Sequence, residues 1–441
     1  MKHPLVCLLV FCLLVGVSSA QQKLSLDQSI QIALEQSPVM LKARADITAA
    51  EGMAGQATAA FLPQLSLNGS LGKYYAEPQV MEIDMTGTGS PTAIAFGTDE
   101  EADTTSYSAS LTQAVFTGGR ILSSVGMATK GLEIAKQELR KVSADVKFSV
   151  INAYYSVSRA KKFVELSEQS VKMAQTHLDR VNALINAGMS TKADLLRVEV
   201  QVAQAEMVLT RARQGLEIAK NNFNNVLGRD LDAPVELAQA EYSAAEITVY
   251  DYRELLKTAY EDRPDWRQYV LAKKVSEDEV GVAASGLWPM LSLVGSYDIG
   301  STKYASYQSD TKTWTAMLSG SWSLFDGTAT WNKIKEAKAK VEAQKANEIS
   351  VRRAVALEVK DANFAVQSAK DNLAAARKAS ELAQENHSIA ELRYDSGVGT
   401  NLEAIDAQVA LTQARSDFLQ AQHDLQIAKA RINKVVGSII Y

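Results

Sequence analysis

The 441-residue chain has only two cysteines, Cys7 and Cys12, and both fall in its first 20 positions. If that segment is removed, the remainder has no thiol and can form neither a disulfide nor a cysteine metal site. Proline is scarce at eight residues and aromatics make up 7%, which argues for long helices over two or three ordinary globular domains. Past the first 20 residues only His177, His387 and His423 remain. They show no H-E-x-x-H or similar spacing and read as helix residues, packed or solvated. The methionines form no cluster that would bind copper or silver. Carboxylates are plentiful, yet nothing selects a catalytic pair. Gly118-Gly119 follows strand-like sequence and opens a helical run but lacks a Walker lysine and the full G-x-G-x-x-G. An enzyme therefore lacks its parts, and no cofactor or metal is expected. With Lys2 removed, 45 basic residues face 51 acidic ones, a net charge of −6, so there is no footprint for nucleic acid. No apolar run after residue 20 is long enough to span a bilayer as a helix. Any membrane insertion has to use strands.

The first 20 residues have a separate character. Lys2 and His3 precede an apolar run from Leu5 to Val17, and Ser18-Ser19-Ala20 supplies the small residues that a signal peptidase reads. Residues 1–20 are expected to be a signal peptide, with Gln21 opening the mature chain. Phe11 before Cys12 is too large for a lipoprotein signal, so no lipid anchor is expected.

What is abundant is a repeated helical seam. From Val198 through Val202, Ala205, Leu209, Ala212, Leu216, Ala219 and Phe223 to Val226, small or apolar residues recur in steps of three and four, as on a coiled-coil face. Adding 209 recovers the seam from Ala407 through Leu411, Ala414, Phe418, Ala421, Leu425, Ala428 and Ile432 to Val435. Each copy starts at a glycine turn followed by a Ser/Thr cap, Gly188-Met189-Ser190-Thr191 in the first and Gly397-Val398-Gly399-Thr400 in the second. That is how two antiparallel helices are joined at a tight tip. The chain is a duplicated helical hairpin.

The rest of the chain repeats too. Residues 21–228 form a first repeat: a helix opened by the Ser25-Leu26-Asp27-Gln28 capping pattern and broken at Pro38, strands at 64–76 and 104–116, and a long hairpin over 119–228. A connector over 229–251 is expected to lie against the helices. The second repeat, 252–441, has a helix broken at Pro264, strands at 290–302 and 312–325, and a hairpin over 327–437. The strand segments alternate strictly, with Leu65, Leu67 and Leu71 against Ser66, Asn68 and Ser70, which gives one apolar and one polar face. A polar, Gly-rich and acidic loop separates the first strand pair, whereas about a dozen residues separate the second. Glu348, Glu358 and His387 make the second long helix more polar than the first, as expected of a half that either faces water more or packs less regularly.

Four amphipathic strands cannot close a barrel, and open edges are not tolerated in lipid. Three copies would supply twelve strands, an even number in the range of outer-membrane barrels. The fold class expected is mostly α with a membrane β-barrel: duplicated long hairpins forming an α-helical barrel, plus four strands per protomer closed in a trimer. The alternative is a structural coiled-coil protein of the cell envelope with no channel activity. Single-channel conductance separates the two.

These features together, with Leu24-Ser25-Leu26-Asp27-Gln28, Phe61-Leu62-Pro63, Phe116-Thr117-Gly118-Gly119 and both glycine-centred tips, resemble the TolC family of outer-membrane efflux proteins over essentially the whole mature chain. The resemblance implies a homotrimeric channel-tunnel in the outer membrane lipid of a Gram-negative bacterium, with its helical part in the periplasm. It further implies service as the exit duct of a tripartite efflux pump or type I secretion system, coupled through a periplasmic adaptor to an inner-membrane pump or ABC exporter. The tips, Gly188 to Thr191 and Gly397 to Thr400, then correspond to the adaptor-docking ends. Glu403 and Asp406 fall where the family carries acidic residues at the narrow periplasmic end. Asp194 matches Glu403, Arg197 takes the place of Asp406, and Tyr394 matches a gate tyrosine. Gly399 stands where the family's namesake has an arginine. Glu403 and Asp406 are alternatively ordinary first-turn acids favoured by the helix dipole.

Overall fold

The structure, a computed structural model, describes residues 23–76, 79–83, 92–96, 100–238, 251–305 and 307–438. The expected signal peptide and residues 239–250 of the connector lie outside the described residues. In chain order the elements are α1 (Leu26–Gln36), α2 (Pro38–Ala59), β1 (Gln64–Ala76), β2 (Gln79–Ile83), β3 (Thr92–Phe96), β4 (Glu100–Phe116), α3 (Arg120–Asn186) and α4 (Lys192–Leu227). They continue with α5 (Tyr252–Asp262), α6 (Pro264–Ala284), a 3-10 turn (Ser285–Leu287), β5 (Met290–Tyr304), β6 (Gln308–Ser321), α7 (Ala329–Asp395) and α8 (Asn401–Val436). The chain divides into two compact units.

The first unit takes in Met1–Lys42, Arg140–Arg263 and Val355–Tyr441. The two seams line its interior: Val198, Ala205, Ala212 and Phe223 of α4 are buried, as are Ala407, Leu411, Ala421, Leu425, Ala428, Ile432 and Val435 of α8. Small residues on these seams let the helices approach closely. Prolines act alike in both repeats. Pro38 and Pro264 are the first residues of α2 and α6, where the missing N–H costs nothing, and a single extended residue, Ser37 or Arg263, makes the bend before each. The bends serve as seats. Gly228 ends α4 at φ +74, and a Cβ there would lie 3.0 Å from the Gln36 carbonyl oxygen. Gly437 ends α8 at φ +81, and a Cβ there would lie 3.0 Å from the Arg263 Cα. In the described part of the connector, Leu237 bridges Leu24, and Asn224 Nδ2 donates to the carbonyls of Leu231 at 3.0 Å and Ala233 at 2.8 Å.

The second unit takes in Ala43–Leu139 and Pro264–Ala354. Its four-stranded antiparallel sheet has the order β1-β4-β5-β6, so β1 and β6 are edges. The register sorts side chains into rows by face. Leu65–Leu111–Gly295–Ala316, Leu67–Ala109–Tyr297–Trp314 and Gly69–Tyr107–Ile299–Lys312 cross one face. Ser66–Ser110–Ser296–Thr315, Asn68–Ser108–Asp298–Thr313 and Ser70–Ser106–Gly300–Thr311 cross the other. The polar face is cross-linked by hydroxyl pairs, Ser66 with Ser110 at 2.6 Å and Ser70 with Ser106 at 2.8 Å. The apolar face is open among the described residues, with Leu67 78% exposed and Trp314 75%.

Three features differ from expectation. The first inter-strand loop holds a further hairpin, β2 paired with β3, and β4 begins at Glu100 because Glu100–Asp103 continue the ladder opposite Lys73–Ala76. The fourth strand runs over 308–321, not 312–325, because Met290 to Ser321 is the last pair of the β5–β6 ladder and Pro289 has no N–H to extend it. The polar residues of α7 are less open to water than their charge suggests: His387 is buried, while Glu348 and Glu358 stay partly exposed and pair with Lys273 at 2.9 Å and with Arg263.

Candidate functional site at the hairpin tips

Both tips are built by the same local rules. In the first, α3 ends into Gly188 at φ +71, and the N–H groups of Gly188 and Met189 return to the carbonyls of Ile185 at 2.9 Å and Leu184 at 2.8 Å. Thr191 then caps α4, with its Oγ1 accepting from the Asp194 N–H at 3.2 Å while the Asp194 carboxylate accepts from the Thr191 N–H at 3.4 Å. In the second, Gly397 sits at φ +71, and the N–H groups of Val398 and Gly399 return to the Arg393 carbonyl at 3.0 and 2.9 Å. Thr400 caps α8 in the same reciprocal way with Glu403, at 3.2 and 3.4 Å. Such boxes satisfy backbone donors that a helix start leaves open.

Asp194 and Glu403 are therefore equivalent residues in equivalent caps. Asp194 has more partners, since it also accepts from the Thr191 hydroxyl at 2.6 Å and the Ser190 hydroxyl at 3.4 Å. The Thr191 hydroxyl, foremost among these, holds the Asp194 carboxyl below its ordinary value. Glu403 has the Arg393 guanidinium 3.8 Å away, both side chains about half exposed. Asp406, one turn further along α8, is exposed and takes no part in the cap. Met189 and Val398 project from the tips, 71% and 68% exposed. A cavity of about 670 Å³ opens between the tips, lined by Met189, Ser190, Asp194, Arg197, Tyr394 and Gly399 among others.

Tyr394 is not at the surface. It is buried with Val181, Val198 and Ala404 in a cluster drawn from all four helices of the two hairpins. Burial, reinforced by the Asp194 charge, raises its phenol above the ordinary value and keeps it neutral. Gly399 is required by a close approach. A Cβ there would lie 3.0 Å from the Tyr394 nitrogen and the Arg393 Cβ.

A contact between two polar residues at this point escaped the sequence reading. His177 and Asn401 are both buried, with His177 Nε2 2.7 Å from Asn401 Oδ1. The one available signal was spacing: His177 stands three residues after Ala174 and four before Val181, a seam position taken by a polar ring. Among the described residues, no group of three or more His, Cys, Asp or Glu side chains could hold a metal ion, and no helix is long and apolar enough to cross a membrane.

The chain matches the family model described as "Outer membrane efflux protein" over residues 29–229 and 255–438. It is 23% identical to Protein CyaE of Bordetella pertussis over 411 residues, 92% of this chain and 82% of that protein. It is 21% identical to outer membrane protein TolC of Escherichia coli over 437 residues, covering 97% and 85%. Its fold superposes on the crystal structure of outer membrane protein VceC from Vibrio cholerae with a TM-score of 0.77 at 19% identity, covering 94% of this chain and 97% of that one.

Proposed function

The chain belongs to the outer membrane efflux protein family, and from that membership we propose that it works as a passive duct, not a catalyst, whose gate and adaptor-docking surface are the two hairpin tips. It is the outer-membrane exit channel of an efflux pump or type I secretion system. The observation that carries this reading is the sheet with two open edges and one uncovered apolar face. Unpaired backbone at β1 and β6 is untenable in lipid, and pairing β1 of one copy with β6 of the next removes every edge once the ring closes. Three copies give a twelve-stranded barrel, with the Leu67–Trp314 face toward lipid and the Ser/Thr face lining a wet lumen.

The mature protein begins at Gln21 without a lipid anchor and partners a periplasmic adaptor and an inner-membrane pump or ABC exporter. Adaptor docking falls to the exposed tips, Gly188 to Thr191 and Gly397 to Thr400. The gate reading falls most directly on Asp406. Glu403 is committed to the α8 cap as well, whereas Asp406 is exposed and outside it. Threefold symmetry makes each acid a ring of like charge, which favours cations in a pore. At the first tip Arg197 replaces the second acid, so the inner lining comes from α8.

The test is a planar-bilayer recording of the purified mature trimer. It should give discrete cation-selective conductances, and Glu403→Ala with Asp406→Ala should weaken that selectivity and the block by multivalent cations while trimers persist. Asp406→Asn alone should reproduce most of the loss. No conductance from intact trimers would refute the duct, and unchanged selectivity would leave the two acids as helix-start residues only. Bulky residues at Gly188 and Gly397 should reduce cross-linking to the adaptor without loss of the trimer.

A further inference from the structure

Side chains of three of the four hairpin helices meet at one buried imidazole, and the fourth helix joins them through Asn401. His177 lies on α3. Its Nε2 is 2.7 Å from Oδ1 of Asn401, the first residue of α8. The Asn401 Nδ2 lies 3.3 Å from the Asp194 carbonyl oxygen and 3.4 Å from Asp194 Oδ1, on α4. The Tyr394 ring, on α7, is 5.1 Å from the imidazole between centroids.

The direction of this relay follows from donor and acceptor capacity. The carbonyl and ionised carboxylate oxygens of Asp194 only accept, so Asn401 must turn its NH2 to them and its carbonyl to His177. The hydrogen between His177 and Asn401 then has to sit on Nε2. His177 donates to Asn401, and Asn401 donates to Asp194. Neither hairpin needs these bonds for its own turn, because each has its glycine and its capping box. What the relay joins is one hairpin to the other.

We propose that His177 is a proton-sensitive positioning residue that, through Asn401 and Asp194, holds the second tip against the first, and that its protonation releases the second tip. The proposal rests on the duct reading for its consequence, since the released segment carries Glu403 and Asp406. The groups facing the ring are Arg180 on α3, Glu391, Tyr394 and Asp395 on α7, and Asp194 on α4 through Asn401. Arg180 and Asp395 form an ion pair at 2.9 Å, so their opposed influences on the ring are set against each other. Burial is the largest influence and lowers the His177 pKa, opposed by the Asn401 hydrogen bond and the Glu391 charge.

The packed arrangement therefore holds the neutral ring, and a hydrated ring in a parted tip binds the proton more tightly. The joined state is favoured above the ordinary histidine range and loses ground as pH falls through it. With the hydrated ring titrating near ~6.5, the shift toward the parted state from pH 7.5 to 5.5 is at most about tenfold per protomer.

The experiment records mature trimers in bilayers while the pH on the side of the tips is stepped from 7.5 to 5.5. Wild type should show a severalfold rise in open probability. His177→Gln, which keeps an N–H for Asn401 but cannot be charged, should stay low at both values. Asn401→Ala should be raised at both. An undiminished pH response in His177→Gln overturns the proposal. Hydrogen exchange over residues 397–405 of the wild-type trimer, corrected for intrinsic rates, gives a reading that needs neither variants nor conductance. Protection should fall severalfold at pH 5.5, and equal protection at the two values also overturns the proposal. Trimers that conduct at no pH yet show this loss of protection would refute the duct and leave the relay standing.

Discussion

Alanine at Gly397 and alanine at Gly399 look like equal insults in the sequence, and the structure separates them. Gly397 is at φ +71 with nothing within 4 Å of where a Cβ would sit. Its alanine variant therefore pays only for the left-handed backbone, about 1–2 kcal/mol. Asparagine tolerates that region better, so Gly397→Asn should cost less than Gly397→Ala. Gly399 has ordinary φ, but its Cβ would lie 3.0 Å from the Arg393 Cβ, 3.0 Å from the Tyr394 nitrogen and 3.1 Å from the Arg393 carbonyl carbon. Two of those atoms are backbone and cannot rotate aside. The loop has to lift from the end of α7, at an overpacking cost of about 1–3 kcal/mol. Lifting also weakens the Val398 and Gly399 bonds to the Arg393 carbonyl, each worth roughly 1 kcal/mol net.

The expected order is thus Gly399→Ala at about 2–4 kcal/mol, then Gly397→Ala, then Gly397→Asn. Native-state hydrogen exchange at the tip reads this directly, because about 1.4 kcal/mol is a tenfold change in the opening equilibrium. Gly399→Ala should speed exchange of the Val398 and Ala404 amides about thirtyfold or more, and Gly397→Ala about tenfold. If Gly399→Ala exchanges no faster than Gly397→Ala, the close approach to α7 does not constrain the tip and the reasoning fails.

Thr328 is the only residue other than glycine with positive φ among the described residues, at +73, where the first repeat has Gly119 at +88. Thr328→Gly should therefore raise thermal stability modestly, by roughly 0.5–1 kcal/mol after the entropy of the added glycine is counted, and a lowered unfolding temperature would contradict this. On the sheet, Leu67→Lys should block barrel assembly or destabilise it by about 2–4 kcal/mol if the residue lies near the bilayer midplane. Ser66→Lys, one residue away on the other face, should leave trimers intact and change conductance. Equal effects of the two lysines on assembly would mean the faces are assigned wrongly.

The fold class was legible because periodicity alone separates its parts. Steps of three and four marked the seams of α4 and α8, and alternation marked the four long strands, since one face of each must be apolar whatever covers it. The β2–β3 hairpin was not legible, because five-residue segments such as Thr92–Phe96 inside a Gly-rich loop are too short for alternation to stand out. The pairing of Glu348 and Glu358 was hidden for another reason: a carboxylate on a helix looks solvated until its partner, Lys273 on α6 or Arg263 at the bend before it, is known. At the tips the caps could be read from Ser/Thr followed by an acid three residues on. The contact between tips could not, because His177, Asp194 and Asn401 lie as much as 224 residues apart in sequence.

That contact also bears on why the repeats have diverged. The position equivalent to Asn401 in the first repeat is Lys192, and the position equivalent to His177 in the second is Asn386. A directed relay runs from a donor through a group that both accepts and donates to a final acceptor, so its members have to be chemically different. Identical tips would offer each other the same groups at equivalent places and could build such a chain only by offset pairing. Duplication supplies two helices with the same glycine, the same cap and the same seam, which suffices for packing around a common interior. Holding one tip against the other in a fixed register requires the copies to differ at the facing positions. The two caps show the result: the first tip's acid accepts from Thr191, Ser190 and Asn401, while the second tip retains Glu403 near Arg393 and an exposed Asp406. The first hairpin accordingly acts as the anchor, and the second carries the acids whose position the anchor sets.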